Sequence, residues 1–209
     1  MEKNNSKIVA IVALVVAVVA LSVGFATYSQ TLTINSAAVI EPTNTFTENV
    51  KYRASSASCT TNGDAEVVTT NMQLTDTAWS GVSATLKTPG DYVECTATVE
   101  NLSTYIAYLK EINTASAITC AANASGTNSN AATNADAVCA NVTLDITAGS
   151  DTAQATSSAA ANNTSTSGSI AAESGTQTVK FRVTFGGSTP ADGDITISVP
   201  QINLIYRTA

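Results

Sequence analysis

Residues 92–100 read YVECTATVE, and this stretch decides the fold class. Its apolar side chains, Val93, Cys95, Ala97 and Val99, alternate with polar side chains at every second position. Successive side chains of a β-strand point to opposite faces of the sheet, so a period of two predicts a half-buried strand. The apolar face of such a strand needs a facing sheet to cover it.

The same alternation recurs along the rest of the chain after residue 30. Apolar side chains hold every second position over residues 142–146, 179–185, 195–199 and 202–206. The phase of the alternation changes at Pro200, which predicts a bulge or an edge position there. Further strands are predicted over residues 49–55, 66–73, 81–87 and 105–112.

Turn-forming residues separate several of these stretches. They are Asn62-Gly63-Asp64, Pro89-Gly90-Asp91, Gly186-Gly187 and Asp192-Gly193-Asp194. Glycine, proline, Asn and Asp favour tight turns because of their backbone preferences or their short polar side chains. Many short alternating strands joined by such turns predict a β-sandwich.

Two segments lack the large apolar residues that a core requires. Residues 121–137 and 149–169 consist mainly of Ala, Ser, Thr, Asn and Gly, and we predict surface loops for both. An alternative is a Thr-rich surface that carries glycans. Five residues open an Asn-x-Ser/Thr sequon, namely Asn101, Asn123, Asn141, Asn162 and Asn163.

The N-terminus has the pattern of an export signal. Lys3 and Lys7 precede an apolar or small run over residues 8–26, and the chain then turns polar. Small residues near the end of the run predict cleavage between Ala26 and Thr27. A run of about 19 residues also reaches roughly 28 Å as a helix, so a retained membrane anchor is the alternative. A type IV pilin leader fits less well, because its processing site precedes the apolar helix.

The four cysteines agree with export. An even number of cysteines in a chain that matures in an oxidising compartment predicts disulfides, and sequence alone allows three pairings. Cys120 and Cys139 bracket a segment that has no core of its own, so we favour Cys120 with Cys139 and Cys59 with Cys95. Free buried thiols are the alternative. A zinc site is disfavoured because the chain has no His and no CxxC spacing.

Composition excludes several functions. Only 12% of the residues are charged, the net charge is -7, and the nine basic residues form no cluster, so we expect no nucleic-acid partner. The absence of His removes HExxH zinc chemistry, Ser-His-Asp triads and Cys-His dyads. We therefore predict no enzymatic activity, no catalytic residue, no cofactor and no metal.

Carboxylates are the remaining candidates for chemistry. Asp91, Glu94, Asp145, Asp192 and Asp194 fall mostly in turns or on the polar faces of strands, where solvation and turn formation explain them. The segment Asp192-Gly193-Asp194 offers oxygen ligands for calcium, but it lacks the ligand count of a recognised calcium loop.

Three short motifs resemble the TasA/camelysin family of exported bacterial fibre-forming proteins. They are Val23-Gly24-Phe25-Ala26-Thr27-Tyr28-Ser29, Thr88-Pro89-Gly90-Asp91 and Val99-Glu100-Asn101-Leu102-Ser103. The last predicted strand also resembles the family's closing strand. The four cysteines and the long Ala/Ser/Thr/Asn segments depart from the best-known members. The resemblance implies an all-β, Ig-like or jelly-roll β-sandwich that follows an N-terminal apolar signal or anchor helix.

The resemblance further implies a secreted subunit that polymerises head to tail into fibres of a biofilm matrix by donor-strand exchange. Residues 27–44 would form an N-terminal arm ahead of a single domain over residues 45–209. The donor strand within this arm comprises Thr31, Leu32, Thr33, Ile34, Asn35, Ser36, Ala37, Ala38, Val39 and Ile40. An extended arm of this kind can complete the sheet of a neighbouring copy. The same residues can equally be the first strand of their own domain.

Two functional classes therefore stay open. The first is a self-assembling matrix subunit whose partner is another copy of the chain and which meets the membrane only during export. The second is a surface module or adhesin that keeps residues 8–26 in the membrane and does not polymerise. Both place the protein outside the cell or at the cell surface.

Overall fold

The computed structural model describes residue 46 and residues 48–123, 137–187 and 194–208. The chain divides into two units, Met1–Glu41 and Pro42–Ala209, and the described residues all belong to the second. Strands dominate this unit, with a helical turn at residues 137–139 and helical residues just before the first strand. The predicted all-β class is confirmed.

The described strands are named here in chain order. They are β1 (Val50–Tyr52), β2 (Ser58–Asn62), β3 (Glu66–Val68), β4 (Gln73–Thr75), β5 (Ala78–Ser80), β6 (Ser83–Leu86), β7 (Tyr92–Asn101), β8 (Ala107–Thr114), β9 (Thr119–Asn123), β10 (Val142–Ala148), β11 (Asp151–Thr156), β12 (Asn162–Asn163), β13 (Ser169–Ile170), β14 (Gly175–Phe185), β15 (Asp194–Ser198) and β16 (Ile202–Arg207).

The first layer of the sandwich is one antiparallel sheet in the order β1-β7-β14-β10-β11, in which β2 also pairs with β7. Strand β7 pairs with β14 along its whole length, from Asn101 opposite Gly175 to Tyr92 opposite Thr184. The apolar face predicted for β7 is buried at every second residue. Its polar face carries Glu94 opposite Arg182, whose guanidinium also lies over the Tyr92 ring at 4.3 Å.

The second layer consists of two hydrogen-bonded sheets, in the orders β12-β8-β16-β5-β4 and β3-β6-β15-β9. Their pairing continues from one sheet to the next, so we describe them as one layer. Trp79 on β5 lies opposite Ile202 on β16, and Ser83 on β6 lies opposite Ser198 on β15. Four residues forward on one side match four residues back on the other, so the pairing register does not shift between the two sheets. Between these pairs the Val199 amide donates to the Val82 carbonyl at 3.0 Å.

The core lies between the two layers. The rings of Trp79 on β5 and Phe181 on β14 pack edge to face at 4.7 Å, which joins the two layers. Among the described residues, thirty-five buried hydrophobic side chains, these two included, form one continuous cluster. Burial of each large side chain contributes about 1.5–3 kcal/mol before the entropy cost of folding.

The long strands appear where the sequence predicts them, and two predictions are wrong in detail. Part of the segment 149–169 forms β11, because Ala153 and Ala155 alternate inward and β10 supplies backbone partners along the whole strand. The segment 121–137 begins with the end of β9 and closes with the helical turn, and residues 124–136 lie outside the described residues. Pro200, where the sequence predicts a bulge or an edge position, lies in the link between β15 and β16 and belongs to neither strand. The register of β16 on β8 shifts between Ile205 and Tyr206.

Both disulfides are present, Cys59–Cys95 and Cys120–Cys139, which is the pairing that the sequence favours. Cys59 and Cys95 lie directly opposite each other on β2 and β7. Strand β2 is short and mostly exposed, so the covalent link holds an edge strand that buries little apolar surface of its own. Cys120 and Cys139 tie β9 to the helical turn at residues 137–139. Two disulfides indicate an exported protein.

The turn before β7 is built on a buried carboxylate, Asp91. Its oxygens accept hydrogen bonds from the amides of Lys87 (2.9 Å), Thr88 (2.8 Å) and Asp64 (3.3 Å) and from the Thr88 hydroxyl (2.9 Å). Gly63 has a positive φ of 69°, and a Cβ there would meet the Asp91 carboxylate. The carboxylate thus joins the β2–β3 turn to the β6–β7 turn.

Removal of this carboxylate gives the first testable prediction. Burial alone would raise the pKa of Asp91, but the hydrogen bonds from Thr88, Lys87 and Asp64 outweigh it and lower the pKa below its ordinary value. Because the pKa of Asp91 is lower in the folded protein than in the unfolded chain, where it is about 3.9, the ionised carboxylate stabilises the fold at pH values above about 3.9. This stabilisation is lost as the pH falls through the folded pKa. Asp91→Asn should therefore lower the unfolding free energy at pH 7 by about 1–3 kcal/mol and flatten its acid dependence.

Urea unfolding from pH 7 to pH 2.5 measures both effects. The control is Asp145→Asn, which removes a surface carboxylate that accepts a hydrogen bond from Gln154. Equal acid dependence in the wild type and in Asp91→Asn would show that the turn carboxylate does not contribute in this way.

Candidate functional site

The chain enters the sandwich beside a groove. Phe46 is buried, and the first strand, β1, buries Val50 and Tyr52 on its inner face. These apolar side chains at alternate positions fix where the N-terminal segment joins the folded body. Any function of the preceding arm therefore begins at this end of the molecule.

The hairpin turn between β4 and β5 belongs to the second layer and bonds to both layers at the same end. The Tyr52 amide donates to the Asp76 carbonyl at 2.6 Å, and the Leu204 amide donates to the Thr77 carbonyl at 3.0 Å. The turn thus bonds to β1 in the first layer and to β16 in the second. It forms one wall of the groove.

Strand β16 has an open edge next to this turn. On one side it pairs with β8 as far as Arg207 opposite Tyr108. On the other side it pairs with β5 only at Ile202 and Asn203, and Leu204 bonds to the turn. Within the described part of the chain, residues 205–207 therefore have a strand partner on one side alone. An extended segment can pair with such an edge.

The groove beside this edge has a volume of about 320 Å³. Its lining is mainly apolar and comprises Phe46, Val50, Leu204, Ile205 and Tyr206, with Asp76 and Thr77 at the turn. The volume is at the lower end of the range for ligand pockets. A groove with an apolar wall next to an open strand edge suits alternate apolar side chains of an added strand.

Tyr206 is held in the groove wall by a polar contact across the sandwich. Its hydroxyl donates to the Gln177 side-chain carbonyl on β14. Burial, followed by the neighbouring Asp151 carboxylate, raises the pKa of Tyr206, so the phenol stays protonated. Asp151 in turn accepts from the Gly168 amide at 2.7 Å, and a Cβ at Gly168 would collide with that carboxylate.

Two polar atoms near the same end have no partner. The Tyr52 hydroxyl and the Trp79 ring N–H are buried and make no hydrogen bond within the described residues. The two rings pack edge to face at 5.9 Å. Burial, with a smaller effect of Tyr206, raises the pKa of Tyr52. An unpaired buried hydroxyl costs free energy that the ring contact has to offset.

A buried amide organises the loop that follows β7. Asn101 donates to the carbonyls of Tyr105 (2.8 Å), Ile170 (3.2 Å) and Ala171 (3.1 Å). Its own carbonyl accepts from the Ser103 amide and hydroxyl, at 3.0 Å and 2.6 Å. Since Asn101 is fully buried, this sequon is closed to glycosylation in the folded protein.

The predicted site residues fall into three groups. The four cysteines form the two disulfides already described. The predicted cleavage site at Ala26 and Thr27 and the predicted donor strand over residues 31–40 lie outside the described residues, so both stay predictions. Of the carboxylates, Asp91 is structural, and Glu94 and Asp145 lie on the polar outer face of the first layer.

The described residues hold no group of three or more His, Cys, Asp or Glu side chains suited to a metal ion. In the same part of the chain, no helix has the length and apolar character to cross a membrane.

The groove is a feature that sequence reasoning missed. Its signal was indirect: apolar positions at 202, 204 and 206 continue beyond the residues that β5 can cover, because β5 has only three residues. No local pattern reveals where a neighbouring strand stops.

Comparisons with known proteins add little to this geometry. No protein-family model matches the chain, and no curated protein sequence matches it. Among solved structures, one similar chain is the carbohydrate-binding module TmCBM61, solved in complex with beta-1,4-galactotriose. It is 10% identical, the match covers 80% of this chain and 97% of that one, and the TM-score is 0.27. A TM-score of this size indicates neither a shared fold nor a shared ligand.

The unpaired hydroxyl gives a prediction that separates two buried tyrosines. Tyr52→Phe removes a group without a partner and should leave the unfolding free energy unchanged or raise it by about 1 kcal/mol. Tyr206→Phe removes a donor and leaves Gln177 unpaired, so it should lower that free energy by about 1–2 kcal/mol. Denaturant unfolding of the two variants is the measurement. Equal destabilisation would show that Tyr52 has a partner.

The Asn101 network gives a second prediction. Asn101→Asp keeps the size of the side chain but turns a carboxylate oxygen toward three carbonyl oxygens. We therefore expect the free energy of unfolding to fall by about 3 kcal/mol or more. The matched control is Asn141→Asp, because the exposed Asn141 amide donates to one carbonyl, that of Ala137. Thermal and urea unfolding of both variants test this. Losses of similar size would mean that burial of Asn101 has no special role.

Proposed function

We propose that this protein is an exported structural subunit that assembles into fibres by strand donation. In this proposal residues 31–40 of one copy pair with the open edge of β16 in the next copy, and Leu32 and Ile34 enter its groove. The proposal includes the TasA/camelysin-like character, the Ig-like or jelly-roll class of the sandwich, and the apolar signal or anchor ahead of it.

The observation that carries the proposal is the combination of an open edge and an apolar groove. Residues 205–207 of β16 pair on one side alone among the described strands, and Leu204, Ile205 and Tyr206 line the groove beside them. Strand addition satisfies main-chain donors and acceptors at such an edge, and the alternate side chains of the added strand fill pockets.

The arm has the complementary pattern. Leu32 and Ile34 alternate with Thr31, Thr33 and Asn35, so an extended arm presents apolar side chains on one face. Glu41 and Pro42 follow the donor strand, and proline restricts the chain to extended or turn conformations at that point. Head-to-tail repetition of one such contact produces an open filament.

A second candidate function is favoured by the position of the groove. Phe46 and Val50, at the start of the described body, line the same groove that the arm would fill. The arm of the same chain is therefore a second candidate occupant of this groove. A copy that fills its own groove would be a non-polymerising surface module, with residues 8–26 as its anchor.

Cysteine cross-linking separates these functions. In a chain that carries both Ile34→Cys and Ile205→Cys, donation to a neighbour produces covalent multimers that appear as a ladder on a non-reducing gel. Donation within one chain produces a monomer that is two mass units lighter than its reduced form. We expect the ladder, and neither product would form if the arm did not reach β16.

Charge substitution supplies the matched pair of variants. Leu32→Asp with Ile34→Asp puts two carboxylates on the apolar face and should abolish pelletable fibres, because a buried unpaired charge is costly. Thr31→Asp with Thr33→Asp adds the same charge on the opposite face and should leave most of the assembly intact. Sedimentation and electron microscopy of the secreted proteins provide the comparison.

A further inference from the structure

The loop between β7 and β8, residues 102–106, exposes an unusual amount of apolar surface. Leu102, Tyr105 and Ile106 are 45%, 48% and 46% exposed, and among large apolar side chains of the described residues only Val68, at 50%, is also exposed to this degree. Three of these four side chains thus lie within five residues. Contiguous exposed apolar surface of this kind marks interaction sites.

The loop is held in this arrangement by its own hydrogen bonds. The Asn101 amide donates to the Tyr105 carbonyl at 2.8 Å, and the Tyr105 amide donates to the Ser103 hydroxyl at 3.3 Å. The Glu173 amide donates to the Ser103 carbonyl at 2.9 Å, which ties the loop to the segment before β14. The exposed side chains are therefore presented by a fixed backbone, and a preorganised surface loses less entropy on binding.

The loop lies where the arm leaves the body. The Leu102 amide donates to the Asn49 carbonyl at 2.8 Å, and Asn49 is three residues after the buried Phe46. Residues 102–106 contain no charged side chain, in a chain whose net charge is -7. Copies of such a chain repel one another in general, and an uncharged apolar loop is a place where they can meet.

The length of the arm limits how far away a neighbour can be. If residues 31–40 lie in the next copy, the chain from Ile40 to Phe46 spans at most about 20 Å even when fully extended. The receiving copy must then lie within that distance of Phe46. The loop at residues 102–106 is at the same place, beside Asn49.

From this geometry we infer that the apolar loop, residues 102–106, is a contact surface for the next copy of this chain, the copy that receives the arm. This inference rests on the proposed function. Three side chains are far fewer than the 20–30 residues a side of a stable interface. The loop therefore adds to the arm contact and does not produce dimers without it.

The test uses full-length secreted protein with three substitutions in the loop, Leu102→Thr, Tyr105→Thr and Ile106→Thr. Val68→Thr is the control, since it removes a similarly exposed apolar side chain on β3. The readout is the unpelleted concentration, which is the concentration of protein left in the supernatant after fibres at equilibrium have been sedimented. We expect this concentration to rise about tenfold or more in the loop variant and to stay unchanged in the control.

Thermal unfolding shows whether the loop variant is folded, and Tyr105→Thr alone gives a milder change if the triple variant is not. An unchanged unpelleted concentration in a folded loop variant, or an equal rise in Val68→Thr, overturns the inference. Fibres and the Ile34–Ile205 cross-link would still form in that case, so the proposed function would stand. If the Ile34–Ile205 cross-link between chains does not form when residues 102–106 are unsubstituted, both the proposed function and this inference are wrong.

Discussion

The pairing of β7 with β14 is the constraint on which the rest of the sandwich depends. Each strand buries an apolar side chain at every second position, and the register places Val93 opposite Val183 and Cys95 opposite Phe181. A slip of one residue would turn these side chains to solvent and bury Glu94 and Arg182. The Trp79–Phe181 contact then sets the second layer against this pair.

Buried polar residues mark both ends of β7 and explain why two short motifs stand out in the sequence. Asp91 closes the turn before the strand, and Asn101 closes the loop after it. Each satisfies several backbone groups that would otherwise be buried without partners. Both motifs define strand ends, so the structure explains them by their roles in the fold. The proposed assembly depends on other parts of the chain, the arm and the open edge of β16.

The sequence predicts the long strands because their alternation is the physical cause of their burial. It fails for β11, where the inward residues Ala153 and Ala155 are small and the alternation is hidden in a stretch of Ala, Thr and Gln. It also fails for the groove and for the apolar loop. Those depend on which strand ends first and on which side chains no other element covers, and such relations arise only from tertiary packing. The disulfide pairing was accessible because one segment lacked a core.

The sheet edges of the described strands differ in how they are covered. Exposed edges invite pairing with other chains, and proteins cover most of them. Here the disulfide holds β2 on β7, and the Asn163 side chain and the Ile118 amide bond to the Thr152 and Thr156 carbonyls on the β11 edge. At β16 the described strands leave the edge open beside an apolar groove and beside the residues through which the arm enters. An open edge at that place suits a partner segment with alternating apolar side chains, and the sequence has this pattern at Leu32 and Ile34, ahead of the body.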